Sequence, residues 1–283
     1  MTTNIPNFDL SDFVARVFAE DLGTGGDVTS KATIDTDARF TAEMNCREPI
    51  AIAGIDIAIA FFRELDAGVE IEKLVNDGDR VEAGTILLRL KGNARAMLAA
   101  ERSALNTLQH LSGVATLTRR YVDTIEGTGA ILLDTRKTIP GLRALEKYAA
   151  RMGGAHNHRM RLDDGVLIKD NHVGVAGGVA AAVARAKAYD SGLQLQVEVD
   201  RISQIEPALD AGAERLLLDN MKPEVLRQAV ALVAGRVPLE ASGGVNLDTI
   251  RGIAETGVNF ISVGRITQSA PAVDVGLDYV LQS

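Results

Sequence analysis

The sequence predicts an α/β protein whose second half is built from parallel strands joined by helices. Short apolar runs that are typical of strands alternate there with helical patterns rich in Ala and Leu. The strand-like runs cover residues 130–134, 166–169, 193–200, 215–219, 237–241 and 260–264. Repeated strand–helix units with right-handed crossovers form either a doubly wound sheet or a (β/α) barrel.

The run at 193–200, LQLQVEVD, favours the barrel because it alternates strictly. Its polar face consists of Gln194, Gln196, Glu198 and Asp200. A strand in a doubly wound sheet is covered by helices on both sides and is apolar on both faces. A wholly polar face therefore predicts a barrel interior that forms part of a functional site. The alternative is an edge strand with one face in water.

Helical patterns separate the strand-like runs, at residues 178–189, 202–211, 223–234 and 247–256. Asn246 precedes one of these helices as a capping residue, and Pro223 lies in the first turn of another. These signals agree with the strand–helix alternation.

The first 110 or so residues have a different pattern. Short strand-like pieces at 40–45, 50–53, 69–74 and 85–90 are joined by turns, and a long helical stretch follows at 94–125. On that helix Arg102, Asn106, Gln109 and Gly113 are spaced to share one face. We therefore expect a separate N-terminal domain and a helix that connects it to the barrel.

Composition limits the classes of protein to consider. The 283 residues are 46% apolar and 24% charged, which is ordinary for a soluble globular protein. A net charge of −8 argues against nucleic acid as the main partner. The single cysteine, Cys46, fits a reducing compartment and is expected to be a buried small hydrophobe. No signal peptide or membrane span is recognisable, so we expect a cytoplasmic protein.

Positive charge is concentrated in residues 134–172. This stretch has eight basic and five acidic residues, a net charge of +3. Such a cluster in an acidic protein predicts a site for several carboxylates or phosphates. Arg143, Lys147 and Arg151 recur every four residues opposite apolar positions and predict only a solvated helix face. The cations that remain for function are Arg136, Lys137, Arg159 and Lys169, with His158 beside them.

Carboxylates and glycines join these cations at the predicted carboxyl ends of strands, where barrel active sites form. Glu198 and Asp219 end two strands, and the segment Ser242–Gly243–Gly244 opens a loop suited to a phosphate. Carboxylates beside a phosphate site predict Mg²⁺. A zinc site at the histidines of 156–172 is the less favoured alternative, because cysteine is absent nearby and the cations would repel the metal.

The stretch DTRKTIPGLRALEKYAARMGGAHNHRMRLDDGVLIKDNH at 134–172 resembles the signature of the quinolinate phosphoribosyltransferase family. Further matches include EDLGTGGDVTS, ERSALN, VEVD, LLDN, EASGGVN and VGRIT, so the resemblance covers nearly the whole chain. It implies an incomplete (β/α) barrel at 114–265, with an N-terminal α/β sandwich domain at 1–113 to which 266–283 return. It also implies a homodimer, and transfer of phosphoribosyl from phosphoribosyl pyrophosphate to quinolinate with decarboxylation, in NAD synthesis.

The same resemblance implies roles for single residues. The catalytic residues would be Lys137, Lys169, Glu198 and Asp219, the two carboxylates also holding Mg²⁺ partly through the substrate. The substrate-binding residues would be Arg102 from the partner subunit, Thr135, Arg136, His158, Arg159, Ser242, Gly243, Gly244 and Gly264.

Two positions depart from the family pattern. Arg265–Ile266 follow the last glycine, where small or apolar residues are more usual, and Ala155–His156 stand where a third glycine is common. Two other interpretations stay open. One is a related molybdenum-associated protein of the same fold, and the other is a Schiff-base aldolase that uses Lys169.

Overall fold

A computed structural model of the chain describes residues 5–6 and 8–280. The chain forms two compact units. The first consists of Met1–Leu117, Ala144–Gly153 and Ser269–Ser283, and the second of Thr118–Arg143 and Gly154–Gln268. The segment 144–153 groups with the first unit although it falls within the range predicted for the barrel. The predicted domain limits stay a prediction, and their residues 1–4, 7 and 281–283 lie outside the described part of the chain.

An antiparallel sheet organises the first unit. Its strands, in the order β12-β1-β5-β3, are β12 (Val275–Tyr279), β1 (Arg39–Cys46), β5 (Ile86–Asn93) and β3 (Glu70–Lys73). Two short strands, β2 (Ile50–Ala51) and β4 (Arg80–Val81), form a separate pair. The first helices along the chain are α1 (Leu10–Leu22), α2 (Val28–Thr33), α3 (Ile55–Leu65), α4 (Ala94–Thr124) and α5 (Arg143–Met152). The strands and the long helix predicted for this half are confirmed.

The core of the first unit follows from strand alternation and aromatic packing. Alternate residues of β1, Ala42, Met44 and Cys46, are fully buried. Cys46 is thus the buried small residue that was predicted. Phe18 of α1 packs edge-on against Phe61 of α3, with 5.3 Å between ring centroids.

The second unit contains a parallel sheet of six strands in the order β6-β11-β10-β9-β8-β7. These are β6 (Ile131–Leu133), β7 (Val166–Ile168), β8 (Leu195–Val199), β9 (Arg215–Asp219), β10 (Leu239–Ser242) and β11 (Phe260–Ser262). The helices are α6 (Asp170–Ala176), α7 (Val179–Tyr189), α8 (Ile205–Asp210), α9 (Pro223–Val233), α10 (Ile250–Ala254) and α11 (Arg265–Gln268). Every strand predicted for this half is confirmed.

Strand order decides between the two predicted architectures. From β7 to β11 each strand lies beside the next strand in the sequence, and β6 lies beside β11. A doubly wound sheet reverses direction at a switch point, whereas a barrel continues in one direction, as here. Because β6 and β7 form the two ends of the described sheet, the barrel is incomplete, as predicted. β8 lies between β7 and β9, so the edge-strand alternative for it is wrong.

The strand register identifies the face of this sheet that holds the polar residues. Glu198 lies opposite Leu217, and Leu217 lies opposite Glu240. Side chains alternate along a strand, so Gln196, Glu198, Asp219 and Ser242 share one face with these residues. On the opposite face of β8, Leu195, Val197 and Val199 are buried. The predicted polar stripe of β8 is therefore confirmed as part of a shared interior face.

The solvated basic face predicted for α5 is wrong. Lys147 is fully buried together with Glu146, whose Oε1 lies 2.9 Å from Nε2 of His110 on α4. Only Arg151 of the three predicted surface cations is exposed. Cations that recur every four residues are also compatible with a buried helix face, because long side chains can bury their stems and pair with groups inside the fold.

Candidate active site

The carboxyl ends of the barrel strands bring the predicted site residues of the second unit together. The strand register places one residue from each of the six strands, at or just beyond its end, on the same interior face. In the order β6 to β11 these residues are Thr135, Lys169, Glu198, Asp219, Ser242 and Gly264. In a (β/α) barrel these ends form the active site. The structure thus brings together cations, carboxylates and glycines that lie far apart in sequence.

A cation and a carboxylate meet across β7 and β8. Nζ of Lys169 lies 3.0 Å from Oε2 of Glu198, whose side chain is 12% exposed. Lys169 is the N-terminal cap of α6, and its backbone N–H donates to Nδ1 of His172 at 2.9 Å. The KDNH sequence therefore fixes the backbone of Lys169 while its ammonium group reaches the site.

Lys137 lies against the glycine that ends the last strand. A Cβ atom added at Gly264 would come within 2.7 Å of Cδ of Lys137, so any other residue there would displace this lysine side chain. The backbone N–H of Lys137 donates to Oγ1 of Thr135 at 3.0 Å, and its carbonyl accepts from Oγ1 of Thr267 at 2.7 Å. These contacts tie the loop after β6 to α11.

The SGG segment after β10 forms a tight backbone loop. Gly243 has φ +94°, and a Cβ there would lie 2.2 Å from Oδ1 of Asn220. The backbone N–H of Asn220 donates to the carbonyl of Ser242 at 2.8 Å. Gly244 follows with φ +62°. Successive glycines with positive φ leave backbone N–H groups accessible, which suits an anion such as phosphate.

Two arginines in this part of the fold are close enough for their charges to interact. Burial, and then the charge of Arg136, lower the pKa of the Arg159 guanidinium below its ordinary value. Nε of Arg136 is buried and lacks a hydrogen-bond partner among the described residues. Buried donors are normally paired, and two neighbouring cations repel each other. This arrangement is best explained by an anion that binds both guanidinium groups.

A buried carboxylate holds the segment that carries Arg159. Oδ1 of Asp134, which is fully buried, accepts from the backbone N–H of His158 at 2.8 Å. The side chain of Asn157 donates to the other oxygen of the same carboxylate. Nδ1 of His158 accepts from the backbone N–H of Arg159 at 2.8 Å. The NHR motif is therefore fixed through its backbone at the end of β6.

A polar cluster beneath the site was missed as a unit. Glu240 is fully buried, and its Oε2 accepts from Nε2 of Gln196 at 2.8 Å and from Nη2 of Arg215 at 2.6 Å. The Arg215 guanidinium lies over the ring of Phe260, 4.0 Å from its centroid. The cluster could have been predicted from the alternation of polar residues in β8, because a polar strand face indicates polar partners on the neighbouring strands.

Arg143 was also missed, because its spacing suggested a surface position. Its guanidinium donates to Oγ1 of Thr138 at 3.1 Å, to the carbonyl of Met160 at 3.2 Å and to the carbonyl of Arg136 at 3.4 Å. It therefore fastens the loop of Arg136 to the loop that follows Arg159. Sequence offered no signal for this role, since all the partners are loop atoms.

Arg102 lies in the first unit, on α4, and is exposed. The helix face predicted to join it to Gln109 and Gly113 is occupied in part by the C-terminal segment. Nε2 of Gln109 donates to the carbonyl of Val275 at 2.8 Å, and a Cβ at Gly113 would lie 2.1 Å from the carbonyl oxygen of Pro271. The predicted face thus divides into a covered part and an exposed part that holds Arg102 and Asn106.

Within the described chain, no group of three or more His, Cys, Asp or Glu residues is arranged to hold a metal ion by itself. His158 and His172 each use Nδ1 to accept a backbone N–H. Two carboxylates, Glu198 and Asp219, share the interior face, and an ion held partly by substrate oxygens needs no more than that.

Comparison with known proteins adds to this geometry. The family model described as "Quinolinate phosphoribosyl transferase, C-terminal domain" matches residues 114–278, and that of the N-terminal domain matches residues 27–112. The chain belongs to the quinolinate phosphoribosyltransferase family. The predicted membership of this family, and with it the predicted fold class, is confirmed.

Relatives with names and solved structures agree with the family. The chain is 42% identical over 272 residues to nicotinate-nucleotide pyrophosphorylase (carboxylating) of Mycobacterium leprae, covering 94% of this chain and 96% of that protein. It is 41% identical over 291 residues to the mitochondrial quinolinate phosphoribosyltransferase (decarboxylating) 2b of Nicotiana tabacum, covering 96% and 82%. The structure of nicotinate-nucleotide pyrophosphorylase from Francisella tularensis has a TM-score of 0.93, with 41% identity and 99% of each chain covered. None of these three is named as a molybdenum-associated protein or an aldolase.

Proposed function

We propose that this protein transfers the phosphoribosyl group of phosphoribosyl pyrophosphate to quinolinate and releases CO₂. The products are nicotinate mononucleotide and pyrophosphate. The observation that carries the proposal is the pair Arg136 and Arg159, two cations whose charges interact. The buried Nε of Arg136 lacks a partner among the described residues. The names of the relatives from Mycobacterium leprae and Nicotiana tabacum support the same reaction.

Quinolinate is a planar dicarboxylate, and its two negative groups match this cluster. Arg136 and Arg159 bind its carboxylates, because a guanidinium fork matches a carboxylate in a bidentate geometry. His158 is assigned to the same subsite. Lys137 and Lys169 border both quinolinate and the pyrophosphate-bearing ribose, where a compact ammonium group neutralises several oxygens.

The ribose side of the site is assigned to the carboxylates and the glycines. As the bond from the anomeric carbon to pyrophosphate breaks and the bond to the quinolinate nitrogen forms, positive charge develops on the sugar. Glu198 and Asp219 stabilise that charge and bind the ribose hydroxyls. The 5′-phosphate binds to Thr135, Ser242, Gly243, Gly244 and Gly264, where backbone N–H groups are accessible.

Mg²⁺ fits this donor set. Glu198 and Asp219 supply hard oxygen ligands on one face, and the remaining ligands would come from substrate oxygens and water. When bound, the ion neutralises charge on the departing pyrophosphate. Lys169 already contacts Glu198, so that carboxylate is held in the site before any ion binds.

Decarboxylation follows from the chemistry of the new nucleotide. Once the ring nitrogen is bonded to ribose it carries a positive charge, and this charge stabilises the electron pair left on the neighbouring carbon 2 when CO₂ departs. That carbon then takes up a proton. The cations around the ring hold the remaining carboxylate and keep the intermediate in place.

We further propose a homodimer in which exposed Arg102 reaches the quinolinate subsite of the partner subunit. The family resemblance suggests this arrangement, and the exposure of Arg102 on α4 is compatible with it. We also propose a cytoplasmic location. Among the described residues, no helix is long and apolar enough to cross a bilayer.

The test is a parallel assay of quinolinate, nicotinate and nicotinamide, each with phosphoribosyl pyrophosphate and Mg²⁺. Nicotinate leaves one buried cation site unpaired, so its kcat/KM should be lower than that of quinolinate by about a hundredfold or more. Nicotinamide, which has no carboxylate, should react even less. Comparable kcat/KM values for the two acids would contradict a site built for a dicarboxylate.

A further inference from the structure

The buried carboxylate of Glu240 has no part in the reaction proposed above, yet it lies beneath the residues assigned to quinolinate. Nε2 of His158 lies 3.5 Å from Oε2 of Glu240. The opposite ring nitrogen, Nδ1, accepts the backbone N–H of Arg159 at 2.8 Å. A nitrogen that accepts a hydrogen bond carries no proton, so the neutral ring has its proton on Nε2, facing Glu240.

Glu240 is held as an anion in this position. Burial raises the pKa of its carboxyl group, but the hydrogen bond from His158 lowers it. The charge of Arg215 and the hydrogen bond from Gln196 lower it further, so the pKa lies below its ordinary value. Its Oε2 is fixed by both of those side chains, at 2.6 Å and 2.8 Å. The acceptor that faces His158 is therefore both charged and rigid.

The contacts extend from Glu240 to a neighbouring cavity that Arg159 also lines. His158, Arg159, Gln196 and Arg215 all border a cavity of about 180 Å³ between the 157–165 loop and strands β7 to β9. Nη1 of Arg159 donates to the carbonyl of Gly165 at 2.8 Å, which leaves its other N–H groups for an anion. A rotation of the His158 ring would break the hydrogen bond from the Arg159 backbone and move the 157–165 loop, which forms one side of the cavity.

We propose that Glu240 is a positioning residue for quinolinate, acting through His158 on the backbone and guanidinium of Arg159. It selects the ring tautomer in which Nδ1 can accept, as a carboxylate that is hydrogen-bonded to a metal-bound histidine does. The inference rests on the proposed function for its substrate, but the link from Glu240 to His158 can be measured without turnover.

The first test uses Glu240→Gln, which keeps the shape and removes the charge. The KM for quinolinate should rise about tenfold or more, because His158 would then donate to a neutral amide instead of the charged carboxylate, which weakens the hydrogen bond that orients its ring. The KM for phosphoribosyl pyrophosphate should stay within about twofold. The matched control is Glu206→Gln, since Glu206 also pairs with an arginine, Arg236, but is 44% exposed. This control should leave both KM values unchanged.

A double-mutant cycle separates positioning from general damage. In a His158→Gln background, Glu240→Gln should change the KM for quinolinate little, because the residue through which it acts is gone. Additive losses, or equal rises in both KM values, would overturn the proposal. If Glu240→Gln fails to fold because Arg215 is left uncompensated, the variant Glu240→Gln with Arg215→Met restores charge balance and takes its place.

A spectroscopic test does not depend on activity. Long-range proton–nitrogen spectra of protein labelled with ¹⁵N-histidine should show His158 with its proton on Nε2, and Glu240→Gln should shift its ring signals. His110, which pairs with buried Glu146 in the first unit, is the internal control and should not shift. Unchanged His158 signals would overturn the proposal. If the wild-type protein does not consume quinolinate, the proposed function fails, while these spectra still decide the link.

Discussion

Replacement of Arg136 by lysine tests the shape of the anion site separately from its charge. The Arg136 side chain is half-buried, and its Nε has no hydrogen-bond partner among the described residues. Lysine keeps the positive charge but replaces a planar fork by a single ammonium group. The variant therefore removes the second contact of a bidentate pair and leaves the net charge of the site unchanged.

The expected loss can be derived from that one contact. A hydrogen bond to a charged group contributes about 1.5–3 kcal/mol, and each 1.4 kcal/mol corresponds to about a tenfold change. We therefore expect kcat/KM for quinolinate to fall about 10- to 100-fold. The repulsion between Arg136 and Arg159 persists in the variant, so its folding should be little affected.

The measurement is kcat/KM for quinolinate, with far-UV circular dichroism to confirm folding. Arg151→Lys is the matched control, because Arg151 is an exposed arginine on α5. It should retain wild-type kinetics, as conservative surface changes usually do. If Arg136→Lys behaves like this control, Arg136 has a structural role and the bidentate assignment is refuted.

Two further predictions concern the partner subunit and the phosphate loop. Arg102→Ala and Glu198→Ala should each be nearly inactive as pure homodimers, but mixing them should restore about a quarter of wild-type turnover. About half of the dimers are then mixed, and each mixed dimer has one intact site of two. If confirmed heterodimers recover no turnover, the shared site is rejected. Gly243→Ala should lower stability by about 1–2 kcal/mol in urea unfolding and raise the KM for phosphoribosyl pyrophosphate, because its φ is +94° and its Cβ would meet Asn220. Gly252→Ala, in α10 with open space around it, should be neutral or stabilising, and equal effects of the two changes would contradict the loop geometry.

The parts of the fold that sequence predicted are those set by local periodicity. The strands of the barrel could be located because each is a short apolar run between helical patterns. The polar stripe of β8 identified the interior face, since alternation along one strand is a property of that strand alone. The cations and carboxylates at strand ends were found for the same reason, because parallel strands end at one edge.

The parts that sequence did not predict depend on contacts between distant segments. Lys147 has the spacing of a surface residue, and its burial depends on how the whole of α5 packs. Arg143 binds a carbonyl 17 residues away, and Glu240 accepts from Gln196, 44 residues away. No local pattern encodes such pairs, since any of several registers would satisfy the same alternation.

The same type of hydrogen bond, from a backbone N–H to a nearby side chain, fixes the backbone of three of the site cations. The backbone N–H of Lys137 donates to Thr135, that of Arg159 to His158 and that of Lys169 to His172, at 3.0, 2.8 and 2.9 Å.

In each case the acceptor is a side chain within three residues, so the main chain is anchored next to the charge. A cation held this way can meet an anion with little reorganisation, which is the property that makes electrostatic stabilisation effective. The histidines of this motif therefore contribute through accepting nitrogens. Substituting His172 by a residue that cannot accept should loosen Lys169 without removing any charge from the site.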